Sequence, residues 1–533
     1  MNDIRLRLPA LLVGILSLVL FTACSSDDSG DDDDATDDDY ADDDDNPSDD
    51  DSIDDDSADD DTQTDDDTTP DDDDDTTPDD DADDDTVPDD DSSPDDDTID
   101  DDTSPDDDTS VDDDTAADDD TNPDDDTVQL PEFLFGISQG SSGPALQYMP
   151  ELGMHWFRRG ITLKSLTPEV LDPELTMADL QANPDLVYQF IDEVDWTNTD
   201  NDMRALLAAG IQPMPSVGHG WIGTLPLLNG QTATPDVLGR DHYLAQQYRY
   251  VRAVVERYDG DGDHDADGIV VKIWQIENEL NVAAITTLYG WREPTGLAGL
   301  FSAWADWNFL TELLATLNQA AHDADPEAIT IQNLHTDIHP NFTALLGLPS
   351  WIDAATLWRD LMDVIGFDAY PNYYESTPVR GTVVGERVTT LQQAAPGKLI
   401  VAVEVGYPTG PSELGYDEDK QAQFIDEAFH SAYEAGIAGY FHFGLVSSDT
   451  HTVDITQQDI DAMAFLGPHF ADGDVWGITG WALAHLSYLM DPHFVDVLQA
   501  VEGYWGVVNT QGYHKPGFAV LQAIAAEISQ QTR

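Results

Sequence analysis

The chain has 533 residues, with 111 Asp and Glu against 19 Lys and Arg, which gives a formal net charge of −92. This charge is unevenly divided, because residues 1–130 hold 58 acidic residues, all Asp, and only two basic ones. Residues 131–533 contain all twelve Trp and are long enough to bury a large core. The acidity argues against nucleic acid as a partner, since few cations are present to neutralise phosphates. A single cysteine excludes an internal disulfide framework and any Cys-rich metal site.

The first 24 residues have the pattern of a signal peptide. Arg5 and Arg7 precede an apolar run over residues 8–21, which is short for a membrane span. Thr22, Ala23 and Cys24 follow the run, and the whole segment resembles a bacterial lipoprotein signal, in which a small residue precedes the lipidated cysteine. The resemblance implies removal of residues 1–23 and an extracytoplasmic chain anchored to the membrane through Cys24, at the outer membrane or cell surface. The alternative is an ordinary cleaved signal in which Cys24 is incidental.

Residues 24–127 predict a disordered tether. Units such as Asp-Asp-Asp-Thr repeat with interspersed Pro, and aromatic residues are nearly absent. Such a segment cannot bury enough apolar area to offset its ordering entropy, and its like charges extend it. The alternative role is a cation sponge, for which weak, non-specific binding is the expectation.

Residues 128–533 alternate short apolar runs with helical patterns. This alternation is typical of parallel strands with crossover helices, and eight units predict a (β/α)8 TIM barrel in the α/β class. A doubly wound open sheet is the competing fold, but no Gly-rich phosphate turn follows a strand. The predicted strands are Phe133–Ser138, His155–Arg159, Gln212–Val217, Val270–Glu277, Ile329–Leu334, Val364–Ala369, Leu399–Glu404 and Gly439–Phe443. The main predicted helices are Arg240–Tyr258, Leu297–His322, Ala354–Met362, Lys420–Ala435 and Lys515–Ser529.

Two of these strands lead into glutamates. The fourth runs into Glu277-Asn278-Glu279, and the seventh ends at Glu404. A carboxylate closing an apolar strand is costly unless it is paired or used. In a barrel, both strand ends meet at the mouth where catalytic residues lie, and paired carboxylates are what glycoside hydrolysis requires.

These segments resemble clan A of the glycoside hydrolases, which are retaining (β/α)8-barrel enzymes. The clan places its acid/base Glu directly after an Asn at the end of strand four, which matches Asn278-Glu279. Its nucleophile closes strand seven, often before Gly, an aromatic residue and Pro, which matches Glu404 with Gly406-Tyr407-Pro408. The resemblance implies that Glu279 is the acid/base, Glu404 the nucleophile and Asn278 a ligand of the sugar 2-hydroxyl. Glu277, which shares the parity of Glu279, remains a rival for the acid/base role.

Further segments extend the resemblance to about residues 132–530. Residues 153–158 resemble the clan's second strand, whose Arg supports the nucleophile, and this makes Arg158 the candidate and Arg159 its rival. Proximity of Arg158 is expected to lower the pKa of Glu404. Residues 363–371 resemble the sixth strand, where an aromatic residue hydrogen-bonds the nucleophile, and this makes Tyr370 the candidate.

The chain departs from the clan after strand eight. Clan members usually carry a Trp there as a sugar platform, whereas this chain has Tyr440-Phe441-His442-Phe443. Trp476 or Trp481, further along, is the candidate substitute. His219 and Trp221, after strand three, are candidates for lining the cleft, although packing residues of a loop would look the same.

An acidic loop precedes strand four. Asp263, Asp265 and Asp267, followed by Gly268, match the first half of a calcium-binding loop, in which oxygen ligands alternate. The second half does not match, because Trp274 stands where a bidentate Glu is expected. The alternatives are a structural Ca²⁺ that braces the loop and a solvated acidic turn.

These observations predict a cell-surface retaining β-glycoside hydrolase that acts on poly- or oligosaccharides through two glutamates. No cofactor is required for that chemistry. The carbohydrate substrate is the expected partner, and the oligomeric state is open. The alternative is a non-catalytic, glycan-binding barrel displayed on the lipid-anchored tether.

Overall fold

The structure is a computed structural model that describes residues 128–262, 264–288, 290–489 and 491–531. The predicted signal peptide with Cys24, the acidic tether and Asp263 lie outside the described residues. Within the described ranges, no helix combines the length and the apolar character needed to cross a bilayer.

Eight parallel strands form a closed barrel in the spatial order β1-β8-β7-β6-β5-β4-β3-β2. The strands are β1 (Leu134–Ser138), β2 (Trp156–Gly160), β3 (Gln212–Val217), β4 (Ile273–Ile276), β5 (Ile329–His335), β6 (Val364–Ala369), β7 (Leu399–Val405) and β8 (Gly439–Phe443). Each strand therefore pairs with its neighbours in the chain, and β1 closes on β8. The predicted (β/α)8 fold is confirmed, and β3, β6 and β8 have the predicted bounds.

The barrel interior is filled by apolar side chains contributed by every strand. This cluster consists of Leu134, Trp156, Met214, Ile273, Ile331, Val364, Val401, Val403 and Phe441. Gly136 is required beside it, because a Cβ there would lie 2.2 Å from the Trp156 carbonyl oxygen and 2.6 Å from the Phe441 ring. The packed interior leaves only the carboxyl ends of the strands to carry a site.

Helices surround the barrel. The α-helices are Ser142–Leu152, Leu163–Leu166, Met177–Ala182, Asp185–Glu193, Thr197–Ala208, Pro235–Leu238, Arg240–Tyr258, Ala283–Leu288, Trp307–Ala324, Pro340–Leu346, Trp351–Trp358, Val383–Ala394, Glu418–Glu434, Gln457–Ala471, Val475–Ala484, Leu486–Leu489, Pro492–Gln499 and Pro516–Gln531. The 3-10 helices are Leu280–Val282, Gly296–Phe301, Ala303–Ala305, Arg359–Leu361, Ser412–Leu414 and Glu502–Tyr504. Two-residue strands pair Leu227–Leu228 with Gln231–Thr232, and Val446–Ser447 with Val508–Asn509.

One predicted helix was wrong in its extent. The region predicted as a single helix over Leu297–His322 begins with two 3-10 turns, and the α-helix runs only from Trp307 to Ala324. Asp306 starts this α-helix, because its side chain accepts a hydrogen bond from the Asn308 N–H. Such side-chain capping of the first turn sets where a helix begins.

Candidate active site

The backbone after β4 directs two neighbouring glutamates to different surroundings. Glu277 and Glu279 have φ angles of 58° and 48°, in the left-handed region that non-glycine residues rarely adopt. Two such residues interrupt the alternation of side chains that an extended strand would impose. The parity argument that made Glu277 and Glu279 equivalent therefore does not hold at this strand end.

A bulge in β7 places Glu404 at the mouth. In the pairing of β6 with β7, Phe367 lies opposite Ala402 but Asp368 lies opposite Glu404, so Val403 is passed over. Val403 packs in the barrel interior, yet the following Glu404 also reaches the site. A bulge adds one residue to a strand and re-aims the side chain that follows, which is how two successive residues face inward here.

Arg158 and Tyr370 hold the two carboxylate oxygens of Glu404. The Arg158 Nη1 lies 2.6 Å from Glu404 Oε1, and the Tyr370 hydroxyl donates a hydrogen bond to Glu404 Oε2. Arg159 instead pairs with Asp202 away from the site. The structure thus brings Arg158 and Tyr370, the two residues expected to support the nucleophile, against the same carboxylate.

Asn278 joins Arg158 to β5. Its Oδ1 accepts hydrogen bonds from Arg158 Nη2 at 2.7 Å, from Asn333 Nδ2 at 2.7 Å and from Gln275 Nε2 at 3.2 Å. The Nε of Arg158 donates to Gln275, and its Nη1 also donates to Ser138 Oγ at 3.0 Å. This buried network satisfies the guanidinium and fixes its position beneath Glu404.

Glu279 lies against a histidine of β5. The His335 Nδ1 is 2.7 Å from Glu279 Oε1, and the Glu279 N–H donates to Asn333 Oδ1 at 3.2 Å. Burial lowers the pKa of His335, but Glu279 with its hydrogen bond, Asp337 and Glu404 together raise it by more, so the net pKa shift is upward. Glu279 and His335 thus form a buried, hydrogen-bonded pair.

Burial dominates the electrostatics of the nucleophile candidate. Desolvation raises the pKa of Glu404, Arg158 lowers it, Glu279 raises it and the Tyr370 hydrogen bond lowers it, with a net upward shift. The expected effect of Arg158 is present, but it does not outweigh burial. The pKa of Asp368 is raised well above its ordinary value by burial and then by the charges of Glu404 and Glu279.

Glu277 is held in a closed ion pair. Its two oxygens each lie 3.0 Å from a nitrogen of Arg292, and they also accept from the Gly220 and Asn278 N–H groups. Both side chains are 0% exposed. The guanidinium of Arg292 lies 4.7 Å from the Trp304 ring centroid. A carboxylate with this many partners is not placed to exchange protons with a substrate, so the geometry favours Glu279 over Glu277 for acid/base work.

His219 and Trp221 lie in the loop after β3. Burial, then Arg158 and Arg292, lowers the pKa of His219 to about 3, and its Nε2 has no hydrogen-bond partner among the described residues. Trp221 is buried and stacks on Trp291 with ring centroids 5.4 Å apart. His219 is thus a neutral imidazole close to the site arginines. Trp221 packs against the segment that follows β4, and its predicted role in the cleft stays a prediction.

A tryptophan from late in the chain packs against Tyr370, the hydrogen-bond partner of Glu404. Trp505 lies 5.1 Å from Tyr370 and 5.7 Å from Phe443, between ring centroids. Trp476 is 73% exposed on the helix Val475–Ala484, and Trp481 stacks on His485. The platform role predicted for Trp476 stays a prediction, and Trp505 lies beside Phe443, at the end of β8.

The acidic loop before β4 presents a different carboxylate cluster from the predicted one. Asp267 is exposed, and Asp265 Oδ2 accepts a hydrogen bond from the Gly262 N–H at 2.7 Å. In the described part of the chain, the carboxylates whose oxygens gather within 4.8 Å belong to Glu256, Asp259 and Asp261. The predicted calcium site at Asp263, Asp265 and Asp267 stays a prediction.

Sequence reasoning missed several residues of this site. They are Gln275, Arg292, Asn333, His335, Asp368 and Trp505. A signal for one existed, because His335-Thr336-Asp337 is a polar run closing an apolar strand, as at β4 and β7. Arg292 and Trp505 have no comparable local signal. Each lies in a loop, outside the strand end where its partner, Glu277 or Tyr370, is found.

The fold and site define the class of molecule: a (β/α)8 barrel with clustered carboxylates at the carboxyl ends of its strands. No family model matches the chain, and no curated protein matches it. Solved structures similar to it include an exo-β-1,4-mannosidase from Opitutaceae bacterium strain TAV5, with 13% identity over 75% of this chain and a TM-score of 0.44. The chain spans 60% of that mannosidase.

Two further similar structures are matched over almost their whole length. Xylanase 10B from Thermotoga maritima has 14% identity over 75% of this chain and 97% of its own, with a TM-score of 0.42. The GH53 catalytic domain of Ignisphaera aggregans has 15% identity over 74% of this chain and 97% of its own, also with a TM-score of 0.42. The likeness is to the barrel, which the strand order already defines.

Proposed function

We propose that residues 128–533 form a retaining β-glycoside hydrolase that acts on poly- or oligosaccharides. The observation that carries this proposal is the arrangement around Glu404. Its carboxylate ends β7 with one oxygen on Arg158 and the other on Tyr370, while Glu279 lies beyond β4 with its own partner, His335. Two carboxylates on facing strands, each separately oriented, are the groups that double displacement needs.

In the first step, Glu404 attacks the anomeric carbon. A bond forms between a Glu404 oxygen and that carbon as the glycosidic C–O bond breaks, and Glu279 gives its proton to the departing oxygen. Arg158 and Tyr370 keep the carboxylate oriented toward the sugar during the attack. The charge on Glu404 disappears when the ester forms.

In the second step, Glu279 acts as a base. It takes a proton from water, the water oxygen attacks the anomeric carbon, and the bond to Glu404 breaks. Two displacements at one carbon restore its original configuration.

The test is azide rescue of two alanine variants on a panel of aryl β-glycosides. With Glu404→Ala, azide enters from the face opposite the leaving group and gives the α-glycosyl azide. With Glu279→Ala and an activated aryl leaving group, the intermediate still forms, and azide opens it to the β-glycosyl azide. Opposite anomers from the two variants would assign both roles and identify the sugar.

Glu434→Ala is the matched control, because Glu434 is an exposed glutamate at the end of the helix Glu418–Glu434. It should retain wild-type turnover without azide. Absence of turnover by wild type on every aryl glycoside, with equal glycan binding by wild type and the Glu404→Ala variant, would favour the alternative of a non-catalytic glycan-binding barrel.

We also propose that the chain acts outside the cytoplasm, anchored to the envelope through a lipid on Cys24. The support is the sequence pattern of residues 1–24 followed by an acidic segment up to residue 127. Cys24→Ser should release the protein from membranes, whereas Ser25→Ala should not. Membrane retention by the Cys24→Ser variant would contradict the anchor.

A structural Ca²⁺ in the loop before β4 is a separate proposal. Its support is the alternating spacing of Asp263, Asp265 and Asp267. Calcium should raise the melting temperature of wild type and not that of Asp265→Asn, while kcat stays unchanged because the ion would only brace the loop. Equal melting temperatures of wild type with calcium and with a chelator would contradict this proposal.

A further inference from the structure

A cleft opens beside the proposed acid/base, between the loops that follow β5 and β6. It contains about 740 Å³ of space not filled by atoms, including the part open to solvent. The helix Gln457–Ala471 closes one side with Gly467 and Phe470, and the helix Val383–Ala394 contributes Arg387. The long segment after β8 therefore walls a pocket on this side of the barrel.

The cleft adjoins the hydrogen-bond partners of both proposed catalytic glutamates. His335 lines it and is hydrogen-bonded to Glu279, and Tyr370 lines it and donates to Glu404. A leaving group must place its oxygen at Glu279 to receive the proton. If the proposed function holds, on which this inference rests, the sugar unit attached to that oxygen enters this cleft.

Arg387 differs from the other arginines that the structure describes. Each of the others forms at least one hydrogen bond or ion pair, whereas Arg387 forms neither within the described ranges. Its Nε is buried without a partner, and its guanidinium lies over the Trp351 ring at 5.0 Å from the centroid. A guanidinium has five N–H donors, and the planar fork suits a carboxylate.

The other charged groups of the cleft have partners of their own. Arg380 pairs with Glu375 at 2.5 Å. Asp337 accepts a hydrogen bond from the Tyr370 N–H at 2.6 Å, and its pKa is raised by burial although His335 and Arg387 lower it. Arg387 is thus the cation of the cleft whose hydrogen-bond donors are available to a ligand.

We propose that this cleft is a subsite for an acidic sugar on the leaving-group side, whose carboxylate pairs with Arg387. The terminal nitrogens of Arg387 donate to the carboxylate, and Tyr373 and Phe470, which also line the cleft, give the ring apolar surfaces to contact. The enzyme would accordingly prefer a linkage in which the unit released first is a hexuronic acid.

The first arm of the test measures binding of two monosaccharides to the full chain at low ionic strength. Glucuronate and glucose differ at one position, where the former carries a carboxylate. Glucuronate should bind wild type more tightly than glucose, and Arg387→Ala should weaken glucuronate binding about tenfold, as loss of a charged hydrogen bond implies, while glucose binding is unchanged. Arg387→Lys, which keeps the charge without the fork, should fall between the two.

Arg359→Ala is the matched control, because Arg359 is exposed and pairs with its neighbour Asp360 at the surface. It should bind both sugars as wild type does. Equal binding of glucuronate and glucose, no binding of either, or unchanged glucuronate binding by both Arg387 variants would each overturn the proposal.

The second arm separates this inference from the proposed function. An aryl β-glycoside that is turned over serves as donor, and glucuronate or glucose serves as acceptor for the glycosyl-enzyme. Wild type should transfer to glucuronate at least tenfold faster than to glucose, and Arg387→Ala should lose that preference. Turnover without preference would refute the subsite alone. Glucuronate binding without turnover of any donor would refute the hydrolase and leave the charged cleft as a binding site.

Discussion

Two glutamate–arginine pairs lie at the carboxyl ends of the barrel strands, and they differ in what surrounds them. The Glu277–Arg292 pair is 0% exposed on both sides, and backbone N–H groups complete the shell of the carboxylate. In the Glu404–Arg158 pair, the side chains are 6% and 9% exposed, and a tyrosine hydroxyl completes the shell.

The difference shows how one pair of residue types serves two purposes. A sealed pair with every lone pair occupied offers nothing to a ligand, but removing either partner leaves an unpaired buried charge. A pair at the mouth, with neighbouring carboxyl groups that oppose ionisation, is less favourable for the fold and is available to a substrate. Substitutions in the two pairs should therefore affect different measurements.

The largest expected effect is on catalysis, through Glu404→Gln. The change keeps the shape of the side chain and removes the nucleophile, so kcat should fall by at least about a thousandfold. Circular dichroism and the melting temperature should stay close to those of wild type. Residual activity above about one tenth of wild type would mean that Glu404 is not the nucleophile.

Substitutions in the sealed Glu277–Arg292 pair should lower the stability of the fold. Glu277→Gln leaves Arg292 buried without its counter-charge, so the free energy of unfolding should fall by about 3–5 kcal/mol. The double variant Glu277→Gln with Arg292→Met removes both charges and should recover part of that loss. Denaturant titration measures the free energy of unfolding of the single and the double variant. A single variant as stable as wild type, but without activity, would reverse the roles assigned to Glu277 and Glu279.

The third expected effect is on the pH dependence of activity, through the Glu404–Arg158 pair. Glu404 must be ionised to attack, and burial raises its pKa above the ordinary value of 4.5 despite Arg158. Activity should therefore fall, as the pH is lowered, at a higher pH than an ordinary glutamate implies. Tyr370→Phe removes a hydrogen bond that lowers this pKa, so the acid limb of kcat/KM should move to higher pH, with a loss of about tenfold near neutrality.

The pH profile of kcat/KM for wild type and Tyr370→Phe measures that shift. A matched control is Tyr513→Phe, because Tyr513 is exposed and remote in the chain from the nucleophile's strand. An acid limb that moves to lower pH in Tyr370→Phe would contradict the hydrogen bond to Glu404.

The smallest expected effect concerns Trp476. Because its ring is 73% exposed, Trp476→Ala should change the free energy of unfolding by no more than about 0.5 kcal/mol. KM should also stay unchanged, because no ring contact joins Trp476 to the site aromatics in the described part of the chain. A raised KM with unchanged stability would support the predicted role of Trp476 as a sugar platform.

Much of the barrel could be predicted because its signals are local. Apolar runs with flanking helical patterns predicted all eight strands, and polar residues at the ends of two strands indicated where chemistry would lie. The helix over Leu297–His322 was wrong in extent, since an apolar pattern does not show where side-chain caps interrupt it. The resemblance carried by Asn278-Glu279 and Glu404 likewise used short, contiguous motifs.

Alternation along a strand was a weaker guide at the site itself. It gave Glu277 and Glu279 equivalent positions. It placed Arg158 and Arg159 on opposite faces of β2 but did not show which of the two faces the site. Left-handed φ angles after β4 and a bulge in β7 decided these matters. Such irregularities depend on which distant atoms are available to pair with each side chain.

By itself, the sequence determined the eight-strand pattern, the division into an acidic segment and a barrel, and the positions of the strand-end carboxylates. These are consequences of composition and of periodicity over a few residues. Only the tertiary structure decided that Arg292 seals Glu277, that His335 meets Glu279 and that Arg387 has no partner in the described cleft. Burial and charge pairing arise between residues far apart in the chain, so no local pattern records them.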